Sequence, residues 1–143
     1  MKHLSALIAA AFGLAALNSS AEAAGSCDAS TVKGTYALHV SGSVGTGPFT
    51  PFVASAISIF DGAGHFTITK GYAVLGGAAA TKFTSSGTYS VEDDCSIFIS
   101  GATSPGASEN DHFGVIQDFG NTINAIRTNS GRTVTLNYAR IAP

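Results

Sequence analysis

The chain has 143 residues, of which only 11% are charged, and its formal net charge is −2. Its Lys and Arg residues are scattered, so it has no basic patch of the kind that neutralises nucleic-acid phosphates, and we expect no nucleic-acid partner. Low charge with abundant Gly, Ser, Thr and Ala is typical of an exported β-protein.

Residues 1–23 have the pattern of a signal peptide. Lys2 and His3 form a short polar start, and an apolar run of about a dozen residues follows, which is too short to span a bilayer. Ala21-Glu22-Ala23 then supplies small residues at both positions that a signal peptidase recognises. We expect cleavage after Ala23, a secreted or periplasmic protein and no membrane span in the mature chain. A membrane anchor or a buried helix is the alternative.

Residues 24–143 are expected to form one domain with a single core. Cys27 and Cys95 are the only cysteines, and two cysteines in an exported protein most often pair. Because the closed loop is long, the chain-entropy model gives this disulfide roughly 4 kcal/mol of stabilisation. A reactive thiol or a metal site is the alternative, but no CxxC motif and no histidine at ligand spacing supports it. We expect no metal and no cofactor.

After the leader, apolar and polar residues alternate between turn signals, which is the pattern of half-buried strands. Glycine-rich or polar segments separate the strands; the sharpest is Asp61-Gly62-Ala63-Gly64, where glycine accepts the positive φ of a hairpin turn. The eight predicted strands have their apolar positions within 36–40, 52–60, 66–74, 83–91, 97–99, 113–119, 123–128 and 134–138.

This pattern favours an all-β fold, because no segment of the mature chain has a long amphipathic helical period. Short strands joined mostly by tight turns predict an antiparallel meander of about eight strands, preceded by the signal-peptide helix, and eight strands can close into a small barrel. A β-sandwich is the main alternative, but it needs longer crossovers. An outer-membrane barrel is disfavoured by short strands and the absence of Trp.

One tripeptide occurs twice, as Gly34-Thr35-Tyr36 and Gly87-Thr88-Tyr89, and each copy lies near a cysteine. We interpret both copies as strands that begin at glycine and point tyrosine inward. Together with Phe60-Asp61-Gly62-Ala63-Gly64 and Asp94-Cys95, this arrangement resembles a group of small exported bacterial proteins of uncharacterised function.

In architecture the chain resembles the calycin-type barrels, which include lipocalins, avidins and the allene oxide cyclase barrel. That resemblance implies binding of a small apolar molecule or, in a few members, a cyclisation inside the barrel. The Gly-x-Trp element of lipocalins cannot occur in a chain without Trp, so no functional residue is carried over.

Period two also places polar side chains on the predicted inner faces, where they could contact a ligand. Lys70 is in phase with Ile68 and Tyr72, and Gln117 is in phase with Val115. For each a structural role is the alternative: a rim position for the cations, core packing for the tyrosines and an outward face for the amide. The candidate ligand-binding residues are Tyr36, Lys70, Tyr72, Tyr89, Gln117, Arg127 and Tyr138.

The densest acid–base group is Glu109, Asp111 and His112, which could bind a cation or act as an acid–base pair. Because Asp111 and His112 are adjacent in a strand, they point to opposite faces, and we favour a solvated strand edge instead. His39 and His65 are expected at the surface.

Three hypotheses about function remain. The first is a non-enzymatic exported barrel that binds a small apolar or amphipathic molecule, with an entrance gated by 42–51 or 101–109. The second is a barrel cyclase or isomerase that uses Lys70, Gln117 or a tyrosine. The third is a surface or matrix protein with a solid barrel and partner-binding loops. A lined cavity of several hundred Å³ would support the first two, and a packed interior the third.

Overall fold

A computed structural model of the chain describes residues 26–45, 48–101, 110–129 and 132–143, and the predicted signal peptide lies outside them. Eight antiparallel strands follow one another around a closed barrel, in which the last strand pairs with the first. The predicted all-β meander and its closure are confirmed. The strands are β1 Gly34–Val44, β2 Thr50–Phe60, β3 His65–Leu75, β4 Thr81–Val91, β5 Ser96–Gly101, β6 Asn110–Gln117, β7 Thr122–Arg127 and β8 Arg132–Ala142.

Side chains alternate between the interior and the outer wall, as period two requires. On β1, for example, Tyr36, Leu38 and Val40 are buried while His39 is exposed. The strands β1 and β2 extend further than predicted. The loop expected at 42–51 is shorter and comprises only residues 45–49. Among the described residues, no helix has the length and apolar character needed to span a bilayer.

A 3₁₀ helix, Ala29–Val32, lies across one end of the barrel, which we call the closed end. The Asp28 carboxylate caps this helix by accepting hydrogen bonds from the Ser30 and Thr31 amides. Val32 is fully buried in the barrel core. The helix therefore acts as a plug that contributes a side chain to the interior.

The predicted disulfide between Cys27 and Cys95 is confirmed, and its Cα atoms are 4.9 Å apart. Cys95 follows the turn after β4, so the bond ties the segment that leads into the plug to the opposite side of the closed end. The bridge spans 68 residues of sequence. It therefore fixes the plug to the wall that the later strands build.

The two copies of the tripeptide occupy different places in the strands. Gly34 is the first residue of β1, as predicted, whereas Gly87 lies inside β4. The expectation that the second copy begins a strand is wrong, because β4 already pairs with β3 from Thr81 onwards. In both copies the tyrosine, Tyr36 or Tyr89, points into the barrel as predicted.

Candidate functional site

Three of the candidate residues, Tyr36, Tyr89 and Tyr138, form a group that we call the inward tyrosines. Their rings pack around Phe60, with ring centroids 5.0 to 5.6 Å from its own, mostly edge to face. Burial raises the pKa of all three phenols. The predicted inward orientation of these three side chains is confirmed, and they fill the closed end.

The hydroxyl of Tyr36 is held in a hydrogen-bond network with Arg140. Tyr36 donates to the Gly120 carbonyl and accepts from Arg140 Nε at 3.1 Å. The Arg140 guanidinium also donates to the Thr31 carbonyl and lies over the Tyr36 ring, 5.4 Å from its centroid. This network joins β1, β8 and the plug, so it serves the fold and leaves the Tyr36 hydroxyl occupied.

Tyr89 also holds the plug by a hydrogen bond, from β4. Its hydroxyl donates to the Ala29 carbonyl at 3.1 Å and accepts from the Gly62 amide at 2.9 Å. In each of these two phenols the hydroxyl proton is already donated to a backbone carbonyl. Ligand binding stays a prediction for the inward tyrosines, and their observed contacts are structural.

The middle of the barrel is packed as well. Leu38, Ile99 and Leu136, which project from three different strands, are each at most 3% exposed. A cavity that admits a ligand also admits water, so its walls would carry accessible surface. These low exposures show that the part of the interior between these three side chains is closely packed. The packed interior corresponds to the third hypothesis.

Lys70 and Tyr72 lie on the outer wall, so their expected inward orientation is wrong. The register of β3 shifts between Ile68 and Gly71, where a bulge adds one residue and reverses the alternation. Gly71 takes the inward position instead. A Cβ added to Gly71 would lie only 2.6 Å from the nearest ring atoms of Phe83. The bulge thus presents a glycine to that ring and moves both polar candidates outside.

The phase predicted for β6 is also wrong. His112, Gly114 and Ile116 point inward, whereas Phe113, Val115 and Gln117 are exposed. At Gly114 an added Cβ would lie 2.8 Å from the Ala125 Cβ, so the barrel has no space there for a larger side chain. Phe113 and Val115 consequently face outwards.

Arg127 is the candidate that does point inward near a strand end, as predicted. It is the last residue of β7, is half-buried and pairs across the strands with His112. Desolvation by burial lowers its pKa, and repulsion from Arg132 acts in the same direction. Its Nε is buried and has no hydrogen-bond partner among the described residues.

The acid–base group does not assemble as a site in the described structure. Glu109 lies outside the described residues, and Asp111 is exposed and accepts a hydrogen bond from Ser100 Oγ at 2.7 Å. His112 is only 4% exposed, so a solvated edge is wrong for that side chain. Across the described ranges, no three His, Cys, Asp or Glu side chains are grouped to hold a metal ion.

The outer wall carries a continuous row of polar side chains that the sequence interpretation missed. Direct cross-strand partners connect β7, β8, β1, β2, β3 and β4 in turn, and we call their outward side chains the polar row. Its members are Asn124, Asn137, His39, Ser55, Tyr72 and Lys82. The signal was available as the complementary phase of each strand, since the inward positions on either side of each are apolar or small.

Two grooves lie along this row on the outer wall. The first, of about 460 Å³, combines His39, Asn124 and Asn137 with apolar Phe113, Val115 and Ile126, and we call it the amide groove. The second, of about 540 Å³, contains Lys70 and Tyr72 and is called the lysine groove. His39 and Asn137 line both.

The candidate residues therefore do not converge on one centre. Lys70 and Gln117 lie on the outer wall, whereas the inward tyrosines and Arg127 lie on its inner side. Lys70 and Tyr72 do come together, in the lysine groove. Comparison of the chain with protein-family models, curated proteins and solved structures finds no match.

Proposed function

We propose that this chain is an exported, non-enzymatic binding protein that holds its ligand on the outer wall of the barrel. The observation that carries the proposal is the amide groove. It places amide groups on one side and exposed apolar side chains, Phe113, Val115 and Ile126, on the other. Its volume of about 460 Å³ lies in the range of small-molecule sites. Such a surface suits an amphipathic ligand.

Export is part of this proposal. The bond between Cys27 and Cys95 supports it, since disulfides persist in oxidising compartments such as the periplasm or the extracellular medium. We also propose a calycin-like affiliation. Its support is architectural alone, the closed antiparallel meander of eight strands.

The packed interior favours an outer site over an interior one. A ligand between the strands would need the space that Leu38, Ile99 and Leu136 occupy. The cyclase or isomerase hypothesis has less support, because it needs a cavity inside the barrel, whereas Lys70 and Gln117 lie on the outer wall.

Co-solvent mapping by NMR tests the location of the site without knowledge of the ligand. Phenol, isopropanol and cyclohexanol are titrated into the isotope-labelled, disulfide-bonded mature protein. We expect the backbone amides of Phe113, Asn124 and Asn137 to shift with all three probes. The variant Ile126→Asn, at an exposed position of the groove, should weaken these shifts.

A matched control is Ile59→Asn, since Ile59 is also exposed but lines neither groove. It should leave the shifts unchanged. Saturable shifts confined to interior amides such as those of Leu38 and Ile99 would overturn the proposed function in favour of an interior ligand. A uniform weak response over the whole barrel would overturn it too.

A further inference from the structure

The amide groove is lined by neutral side chains. Of the described residues that line it, His39 is the one with an ionisable group, and the polar remainder are amides and hydroxyls such as Asn124, Asn137 and Thr135. A charged ligand would lose hydration there without meeting an opposite charge, which is unfavourable. The lining therefore selects a neutral molecule.

The amides are held in a fixed arrangement by a ladder across three strands. Asn137 Nδ2 donates to Asn124 Oδ1, and Asn124 Nδ2 donates to Gln117 Oε1 at 2.8 Å. Within the described structure, the Gln117 amide NH₂ and the Asn137 carbonyl oxygen have no hydrogen-bond partner. Gln117 does not line the amide groove, so within the groove the ladder presents the Asn137 carbonyl oxygen as an acceptor.

The hydroxyls beside the ladder are oriented as well. Thr135 Oγ1 donates to the Ser41 carbonyl at 3.2 Å, so the Ser41 hydroxyl is the donor in its 3.1 Å contact with Thr135 Oγ1. A ligand that carries both donors and acceptors can bond to such preset groups with little loss of side-chain freedom.

An aromatic platform borders the amides. Phe98 and Phe113 are direct partners on β5 and β6, their ring centroids are 5.2 Å apart, and they are 45% and 36% exposed. Phe113 itself lines the amide groove. Exposed aromatic rings beside fixed amides suit a ligand with an apolar C–H face and a rim of hydroxyls.

Other occupants fit less well. An extended peptide binds by adding a strand to a sheet edge, and the described barrel is closed, so it offers no such edge. A lipid chain would cover the Asn137 carbonyl oxygen, which has no hydrogen-bond partner in the described structure, without bonding to it, which is unfavourable.

We infer that the amide groove binds a neutral oligosaccharide, with a sugar ring against Phe113 and its hydroxyls on the amide ladder. This inference rests on the proposed function, since it names the ligand of the same outer site. The observations behind it are the neutral lining of the groove, the amide ladder with a carbonyl acceptor at Asn137 and the exposed phenylalanine pair.

The test titrates the mature, disulfide-bonded protein with cellohexaose, maltohexaose, xylohexaose and chitohexaose. We expect at least one of them to shift the side-chain amide signals of Asn124 and Asn137 saturably. Phe113→Ala and Asn137→Leu should each weaken that binding by about tenfold or more, which corresponds to the loss of one good contact. Phe113→Tyr should retain it, because tyrosine keeps the aromatic face.

Thr84→Ala is the matched control, since Thr84 is exposed on β4 and lines neither groove. It should bind as the unaltered chain does, and far-ultraviolet circular dichroism verifies that every variant is folded. Absence of binding to all four oligosaccharides overturns the inference. The proposed function still stands in that case if the co-solvents cluster in the groove, so the two failures are distinguishable.

Association between copies gives a second way to overturn the inference. Sedimentation that shows a dimer, with Phe113→Ala restoring the monomer, would assign the groove to a second copy of this chain. Binding that persists in both Phe113→Ala and Asn137→Leu would place the sugar elsewhere and would also contradict it.

Discussion

Replacing Phe60 with alanine removes the ring around which the closed end is built. Phe60 is 1% exposed, and the rings of Tyr36, Phe66, Tyr89 and Tyr138 lie within 5.7 Å of it, centroid to centroid. Truncation of a buried phenylalanine to alanine costs about 3–5 kcal/mol, and aromatic pairs contribute beyond their buried area. We expect a loss near the upper end, about 5 kcal/mol, because rings held by four different strands cannot all move into the space.

Urea unfolding of the mature protein, with the disulfide intact, measures this loss. For a denaturant slope of about 2 kcal/mol per M, the midpoint should fall by about 2.5 M. Phe119→Ala is the matched control: Phe119 is 98% exposed, so its removal should change stability by less than about 0.5 kcal/mol. A loss below about 2 kcal/mol at Phe60 would refute the reasoning, because it would mean that the interior is loosely packed and could admit a ligand.

Three further outcomes follow from the same packing. Replacing both Cys27 and Cys95 with serine opens a loop of 68 residues and should cost about 4 kcal/mol in calorimetry, whereas a loss under about 1 kcal/mol would contradict the entropic argument. Burial raises the pKa of the inward tyrosines, so their stabilising contribution is complete below the unfolded value of about 10 and is lost as pH rises beyond it. Because Tyr72 is 48% exposed, the measurement uses a Tyr72→Phe variant. In that variant tyrosinate absorbance should appear together with unfolding, and ionisation in the intact fold would disprove the assignment. Ser58→Ala removes a buried hydroxyl with no partner among the described residues, so chemical unfolding should show unchanged or greater stability; a loss above about 1 kcal/mol would instead reveal a molecule bound to that hydroxyl.

Much of the fold could be predicted because local signals agree with each other. Alternation located all eight strands, and the turn at 61–64 was visible from its glycines. The pairing of Cys27 with Cys95 followed from composition alone, since no other cysteine exists. The inward tyrosines were found because a large apolar ring on an otherwise apolar face belongs to the core.

The site residues were harder to predict, because the face on which each side chain lies depends on the alternation of its strand. One inserted residue moves every later side chain of that strand to the opposite face. In β3 the bulge after Ile68 is invisible in the alternation, which continues through Lys70 and Tyr72 as though no residue had been added. The bulge places Gly71 against the Phe83 ring of the neighbouring strand, and no local pattern contains that contact. Lys70 therefore moved from an expected interior position to the outer wall.

In β6 the alternation was real, but hydrophobicity assigned it to the wrong face. Phe113 and Val115 are bulkier than Gly114, so a rule that places large apolar residues inside selects them, while the crowded wall at Ala125 accepts only the glycine. Phe113 and Val115 are exposed beside two ordered asparagines, so packing in the core does not explain why these positions are apolar. Sequence rules tend to fail at functional sites. Two strands were assigned the wrong phase, and one of them, β6, contributes Phe113 and Val115 to the amide groove.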